Sequence, residues 1–283
     1  MTQDSRDCPI GVFDSGMGGL TVMRALMTRL PHESFVYLGD TARLPYGSKS
    51  PDTVTRYAVQ CARALMAHRI KLLVVACNTA SASALPALTA VLAPTPVIGV
   101  IEPGADAAIA AAPSGRIAVI ATEGTVKGGA YERAIHARDP RARVTQQACP
   151  LFVALAEEGL TDGPIAELVA RRYLDPLLSA ADTRPECLVL GCTHFPALKD
   201  TIARIAGPGI ALVDSADTTA AAVERLLAKE QLSRPDESPT APPRFLATDA
   251  PERFARVGQI FLGRMIPADA VDQVDLHPGS RSA

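Results

Sequence analysis

Two short stretches of the chain run through aliphatic residues and end in a thiol. In LVLGCTHFPAL, residues 188–198, three aliphatic residues and Gly191 lead to Cys192, Thr193 and His194 together. In LLVVACNTASA, residues 72–82, a similar run leads to Cys77, Asn78 and Thr79. Two cysteines facing one another across a cleft have three uses. They can form a redox disulfide, hold a metal, or act as acid and base on opposite faces of one carbon. Redox pairs usually sit as Cys-x-x-Cys, and neither thiol does. A metal on Cys77, Cys192 and His194 lacks a fourth ligand and would be unusually dispersed for zinc. Inversion of a carbon stereocentre needs a base on one face and an acid on the other. A free thiol, with a pKa of roughly 8.5, can serve in either form near neutrality after modest tuning.

Each thiol needs assistance. His194 is two residues from Cys192, which in an extended segment places both on one side. Asp14 can serve Cys77 if the first and third strands are neighbours. Ser15, Asn78, Thr79 and Thr193 supply hydroxyl and amide groups suited to an amino acid, and helix N-termini after the strands offer free N–H groups to carboxylates.

These tips need a scaffold, and the chain reads as one. Short, mostly β-branched and apolar runs read as candidate strands at 10–13, 35–38, 72–76, 97–100, 117–120, 143–147, 187–190, 211–213 and 245–247 and alternate with Ala/Leu-rich helical stretches. Apolar strands separated by helices predict parallel sheets covered on both faces, with ligands gathering at the carboxyl ends of the strands. Those ends read Asp14-Ser15, Gly39-Asp40, Cys77-Asn78-Thr79, Thr122, Cys192-Thr193-His194 and Asp214-Ser215. Asp249 with Glu252 reads as an N-cap pair for a helix burying Phe254, Val257 and Phe261. Asp214 or Ser215 caps another helix, which carries Ala220, Val223 and Leu227. Asp40 reads as a plain cap. The strand–Cys–polar pattern occurs at 72–79 and again at 187–194, with the thiols 115 residues apart, about one small α/β domain.

Composition narrows the function. The 283 residues are 48% hydrophobic with 4% aromatics and no Trp, so the core is aliphatic. A net charge of −2 and the absence of like-charge runs argue against nucleic-acid and anionic-membrane partners. Residues 72–101 carry no charge, but Pro86, Pro94 and Pro96 break them, so a strand, helix and strand fit better than a membrane span. The polar N-terminus lacks a secretory signal, and a cytoplasmic protein with free thiols is expected. Cys8, Cys61, Cys149 and Cys187 read as small buried hydrophobes. Gly16-x-Gly18 after a strand, with Asp40 ending the next one, imitates a dinucleotide fingerprint. However, Thr21 replaces the third glycine.

Four blocks in this order are specific: IGVFDSGMGGLTV at 10–22, YLGDTARLPYGSKS at 37–50, VVACNTASA at 74–82 and LVLGCTHFPAL at 188–198. Together with IAVIATEGTVKGGAY, CPLFVALAEEG and TDAPERFARVGQIFLGR, they make residues 9–265 resemble the glutamate racemases. The resemblance implies a cofactor-independent, metal-free isomerase that interconverts L- and D-glutamate and supplies D-glutamate for peptidoglycan. A homo-oligomer, a dimer, belongs to the same expectation. By motif position Cys77 and Cys192 match the catalytic thiols, the first acting on the D-enantiomer's proton and the second on the L-enantiomer's. Asp14 and His194 match their assistants. Asp14, Ser15, Pro45, Tyr46, Gly47, Asn78, Thr79, Thr193 and His194 match the substrate-binding positions, and Glu157 lies in a recurrent block. Gly128-Gly129 and Ala154 depart from the pattern, away from the proposed chemistry. A related racemase acting on aspartate or another acid is the alternative, with a dinucleotide-binding oxidoreductase behind it. The expected fold is two flavodoxin-like α/β domains, pseudo-symmetric about a cleft. The first holds 1–99 plus 211–265 and the second 100–210, with 266–283 a flexible tail beyond a Pro-rich connector at 229–243.

Overall fold

The computed structural model describes residues 5–179, 182, 184–235 and 240–276. Among these described residues ten strands form two all-parallel sheets. They are β1 (Ile10–Asp14), β2 (Phe35–Gly39), β3 (Leu72–Val75), β4 (Val97–Gly99) and β5 (Arg116–Ala121), followed by β6 (Arg143–Ala148), β7 (Cys187–Gly191), β8 (Ala211–Asp214), β9 (Arg244–Ala247) and β10 (Val271–Gln273). The first sheet runs β10-β9-β2-β1-β3-β4 and the second β6-β5-β7-β8. Each therefore contains the same order, second-first-third-fourth, which is the flavodoxin-like arrangement with a switch point beside the first strand.

Among the described residues twelve α-helices connect and cover the sheets. They are α1 (Leu20–Arg29), α2 (Pro51–Met66), α3 (Asn78–Ser83), α4 (Leu85–Leu92), α5 (Ile101–Ala111) and α6 (Glu123–Gly128), then α7 (Ala130–His136), α8 (Pro150–Glu157), α9 (Gly163–Leu178), α10 (Lys199–Ala206), α11 (Ser215–Lys229) and α12 (Pro251–Leu262). Several start signals are plain in the sequence. Ser50 caps α2 ahead of Pro51, and Asp214 caps α11 by accepting from the amides of Ala216 and Asp217. On α11, Ala220, Val223 and Leu227 are buried as their spacing predicts.

Strand alternation divides the core. Val36, Leu38, Leu73 and Val75 join one apolar cluster with Val54, Cys61 and Leu65 of α2. Phe35, Tyr37, Leu72 and Val74 face the other way. They enter a second cluster that continues through α1, α5 and α11 into Ile117, Val119, Leu188 and Leu190 of the second sheet. At the opposite end of the first sheet, Lys71 forms a buried ion pair with Glu33 at 2.6 Å. Its ammonium also donates to the carbonyls of Arg6 and Leu232, tying the start of the connector to the sheet.

Three expectations are corrected. Ala211–Asp214 pairs with β7, not with the first sheet, so the chain returns only after β8. Residues 266–276 are not a loose tail: β10 pairs with β9, and Val274 and Leu276 pack on the α2 cluster; 277–283 lie outside the described residues. Asp249 does not cap α12. Ala250, at φ 50°, occupies that position without a side-chain cap, and the Asp249 carboxylate accepts from the Ala250 amide instead. Among the described residues no helix is long and apolar enough to cross a membrane.

Candidate active site

Cys77 and Cys192 sit at equivalent places, just past the ends of β3 and β7. Each of these strands lies beside the first strand of its own sheet, with Phe13 opposite Val75 and Ala121 opposite Gly191. Both thiols are almost wholly buried, 5% and 6% exposed, and the charge of Cys192 acts on Cys77. The two thiols from distant parts of the chain therefore share one electrostatic environment.

Cys77 is the N-cap of α3. Its sulfur lies 3.5 Å from the Ser15 hydroxyl and accepts from the Ala80 amide at 3.5 Å. Burial and then the nearby Asp14 carboxylate push the thiol up to about 12, against the opposing hydrogen bonds from Ser15 and Ala80. Asp14 itself is fully buried, with Oδ2 accepting from the Gly16 amide and Oδ1 without a partner in the protein. Burial raises its carboxyl, while the positive charge of His194 opposes that shift.

On the other side, His194 Nδ1 lies 3.8 Å from Cys192 Sγ and Nε2 lies 3.0 Å from Glu157 Oε1. The expectation placed His194 beside Cys192 by strand alternation. The contact is real but its cause differs, because β7 ends at Gly191 and His194 is helical at φ −79°, ψ −29°, opening a 3₁₀ turn. Burial resists charging this imidazole. The hydrogen bonds to Cys192 and Glu157, with the charges of Cys192 and Asp14, outweigh it and push the group up to about 10. Glu157 Oε2 accepts from Arg253 Nη2 at 2.8 Å. A Cβ on Gly18 would lie 2.4 Å from His194 Nδ1 and 2.6 Å from Thr193 Oγ1, so the turn after β1 needs glycine there.

The polar rim converges as well. Asn78 Oδ1 accepts from the Tyr131 hydroxyl at 2.7 Å, leaving its buried Nδ2 unpartnered in the protein. Thr79 Oγ1 lies 2.9 Å from Thr122 Oγ1 and 3.2 Å from Thr125 Oγ1, a bridge from the first sheet's tip to the second's. Thr193 is buried, and its carbonyl accepts from Thr21 Oγ1 at 3.1 Å. Pro45-Tyr46-Gly47 forms the loop before α2, and a Cβ on Gly47 would lie 2.7 Å from Thr122 Cβ. The Tyr46 hydroxyl donates to Asp40.

Asp40 was read as a cap, but no helix follows β2 directly. Its buried carboxylate gathers Tyr46, Arg43 at 2.8 Å and the Thr248 hydroxyl at 2.9 Å. Arg253 and Tyr131 had no local signal, since each matters only through a partner far away in the chain, whereas Thr122 stood at a readable strand end. Among the described residues no group of three or more His, Cys, Asp or Glu is arranged to hold a metal.

Comparison with known proteins finds relatives along most of the chain. A family model described as Asp/Glu/Hydantoin racemase matches residues 10–223. A glutamate racemase of Geobacter metallireducens is 52% identical over 90% of this chain and 92% of its own length. One of Neisseria meningitidis is 46% identical over 98% and 100%. The crystal structure of the Francisella tularensis glutamate racemase in complex with D-glutamate superimposes with a TM-score of 0.87 at 37% identity, covering 96% of this chain and 98% of that one. The family match opens at β1 and runs into α11, through both cysteine-bearing strand tips, and this chain belongs to the Asp/Glu/Hydantoin racemase family and, within it, to the glutamate racemases.

Proposed function

We propose that the protein interconverts L- and D-glutamate by a two-thiol acid–base mechanism and supplies D-glutamate for peptidoglycan from the cytoplasm. The observation that supports this most is the paired placement of Cys77 and Cys192 at the ends of equivalent strands, with the turn after β1 lying against Cys77 at Ser15 and against Thr193 and His194 at Gly18. The crystallised Francisella relative, which holds D-glutamate, supports the substrate.

In this reading the Cys192 thiolate takes the α-proton of L-glutamate while the Cys77 thiol delivers its own proton to the opposite face. Product leaves with Cys192 protonated and Cys77 ionised, the state that accepts D-glutamate. His194, 3.8 Å from Cys192, exchanges a proton with that sulfur when the free enzyme resets. Asp14 stands on the Cys77 side, where its carboxylate, when ionised, favours the thiol. Ser15, Thr79 and Thr193, the free Asn78 amide and the backbone at 45–47 hold the charged ends of the substrate. Burial of both sulfurs keeps water away from the carbanion-like centre.

The test is circular dichroism of L-glutamate incubated with purified protein and no added cofactor. The signal should decay to zero, and in D₂O the product should carry deuterium at the α-carbon. C77A and C192A should each lose activity by about 10³-fold or more, in line with removal of a positioned acid or base. Near wild-type turnover in either variant rules out the two-base assignment. A larger kcat/KM for aspartate than for glutamate would instead assign the related substrate. The expected homo-oligomer belongs to the same proposal and is read by sedimentation velocity.

A further inference from the structure

Helix α12 reaches the Cys192 side of the site at two points. Phe261 sets its ring against His194, with centroids 5.0 Å apart and planes at 73°. Two turns earlier on the same helix, Arg253 Nη2 donates to Glu157 Oε2 at 2.8 Å. The other carboxylate oxygen of Glu157 faces His194 Nε2 at 3.0 Å. Both oxygens are therefore committed, one to the imidazole and one to the guanidinium. The two ends of this relay come from different parts of the fold. Arg253 follows β9 of the first sheet, while Glu157 follows β6 of the second.

Glu157 needs such an anchor. It is the last residue of α8, where the negative end of the helix dipole disfavours a carboxylate. Burial also opposes its ionisation, and the hydrogen bonds and charges of His194 and Arg253 overcome that and hold it below the usual carboxylate range. A long side chain at a helix end, fixed on one side only, swings among rotamers and takes its hydrogen-bonded partner with it.

We propose that Arg253 is a positioning residue for racemisation: it anchors Glu157, and through Glu157 it holds His194 in line with Cys192. This rests on the reading of Cys192 and His194 given above. The Arg253 side chain is 40% exposed. A purely electrostatic attraction of the anionic substrate is therefore the competing use of this cation, and it predicts a different kinetic signature.

The experiment compares kcat and KM, in both directions, for the wild-type protein, R253M, R253K, E157Q and the R253M/E157Q pair. If Arg253 acts through Glu157, R253M lowers kcat about tenfold with KM within about twofold, as a misplaced catalytic group would. R253K recovers most of the loss, and the double variant is no slower than E157Q alone. The proposal is overturned if R253M keeps kcat within about twofold, if only KM rises, or if the losses in the double variant multiply. Should R253M fail to fold by circular dichroism, R253Q on the wild-type and E157Q backgrounds decides the same question. A loss on the first background alone supports the relay, and equal losses on both refute it. A wild-type protein that does not racemise glutamate removes the underlying function, whereas an active wild type with an indifferent R253M removes only this role.

Discussion

Gly18 sets what His194 can do. The ring stands where a methyl group on Gly18 would be, 2.4 Å from Nδ1, and the ring is also held by Glu157 and Phe261. G18A should therefore displace the imidazole from Cys192. Turnover is expected to fall about 10²-fold, with a stability loss of only about 1–3 kcal/mol from overpacking; kcat and urea midpoints measured together separate the two effects. The buried thiols predict a pH dependence at the same scale. Cys77 and Cys187 are both pushed up to about 12 by burial, from an ordinary value of 9.0. Between these values the unfolded chain has lost protons that the folded chain keeps. Their contribution to stability is whole below pH 9 and is lost as pH rises toward 12. His194, raised from 6.5 to about 10, acts in the same direction, whole below 6.5 and lost as pH rises through 10. Urea midpoints should fall steadily from pH 8 to pH 10.5. In C187A the slope should be shallower, by at most about 1.4 kcal/mol per pH unit. The thiols, Asp14 and His194 were legible because each stands next to a readable strand end. Arg253 was not, because its partner Glu157 lies 96 positions away and a lone helical cation is usually a solvated one.

Among the elements, β1, β2, β3, β5 and β7 were legible because parallel strands buried on both faces are continuously apolar, whereas β6 is only half-buried and carries no such run. β10 was missed for the opposite reason. Val-Asp-Gln, three residues with one buried side chain, makes an edge strand that apolar patterning cannot reveal. β8 was visible but assigned to the wrong sheet, since an apolar run does not say which neighbour it joins. Asp40 shows a further limit. Between β2 and α2 it organises the 41–48 loop by accepting from Tyr46, Arg43 and Thr248, while its own amide donates to Asp14 O at 3.0 Å. D40N keeps the shape but loses the charge and turns an acceptor into a donor. It should cost about 1–3 kcal/mol. Because the loop carries Tyr46-Gly47, KM for glutamate should rise more than kcat falls, which steady-state kinetics will read. A D40N enzyme with unchanged KM would detach this network from substrate binding.

At the scale of the molecule, the two sheets share one apolar cluster running through α1, α5 and α11. A shared core of that kind couples the halves, so calorimetry should show one unfolding transition, not two. Truncation after residue 266 would strip β10 from β9 and expose Val274 and Leu276's packing surface. Such a variant should melt at lower temperature and scatter light as its bare edge pairs between molecules. Where Gly47 abuts Thr122 and a Cβ on Gly124 would come within 2.9 Å of the Gly47 carbonyl, contact between the halves is backbone-close and is bridged by the Thr79, Thr122 and Thr125 hydroxyls. An amino acid with three charged groups cannot pass that seam while it is shut. If substrate enters by parting this seam, kcat should decline in proportion as sucrose thickens the solvent, with the enzyme's pace governed by how often a threshold swings.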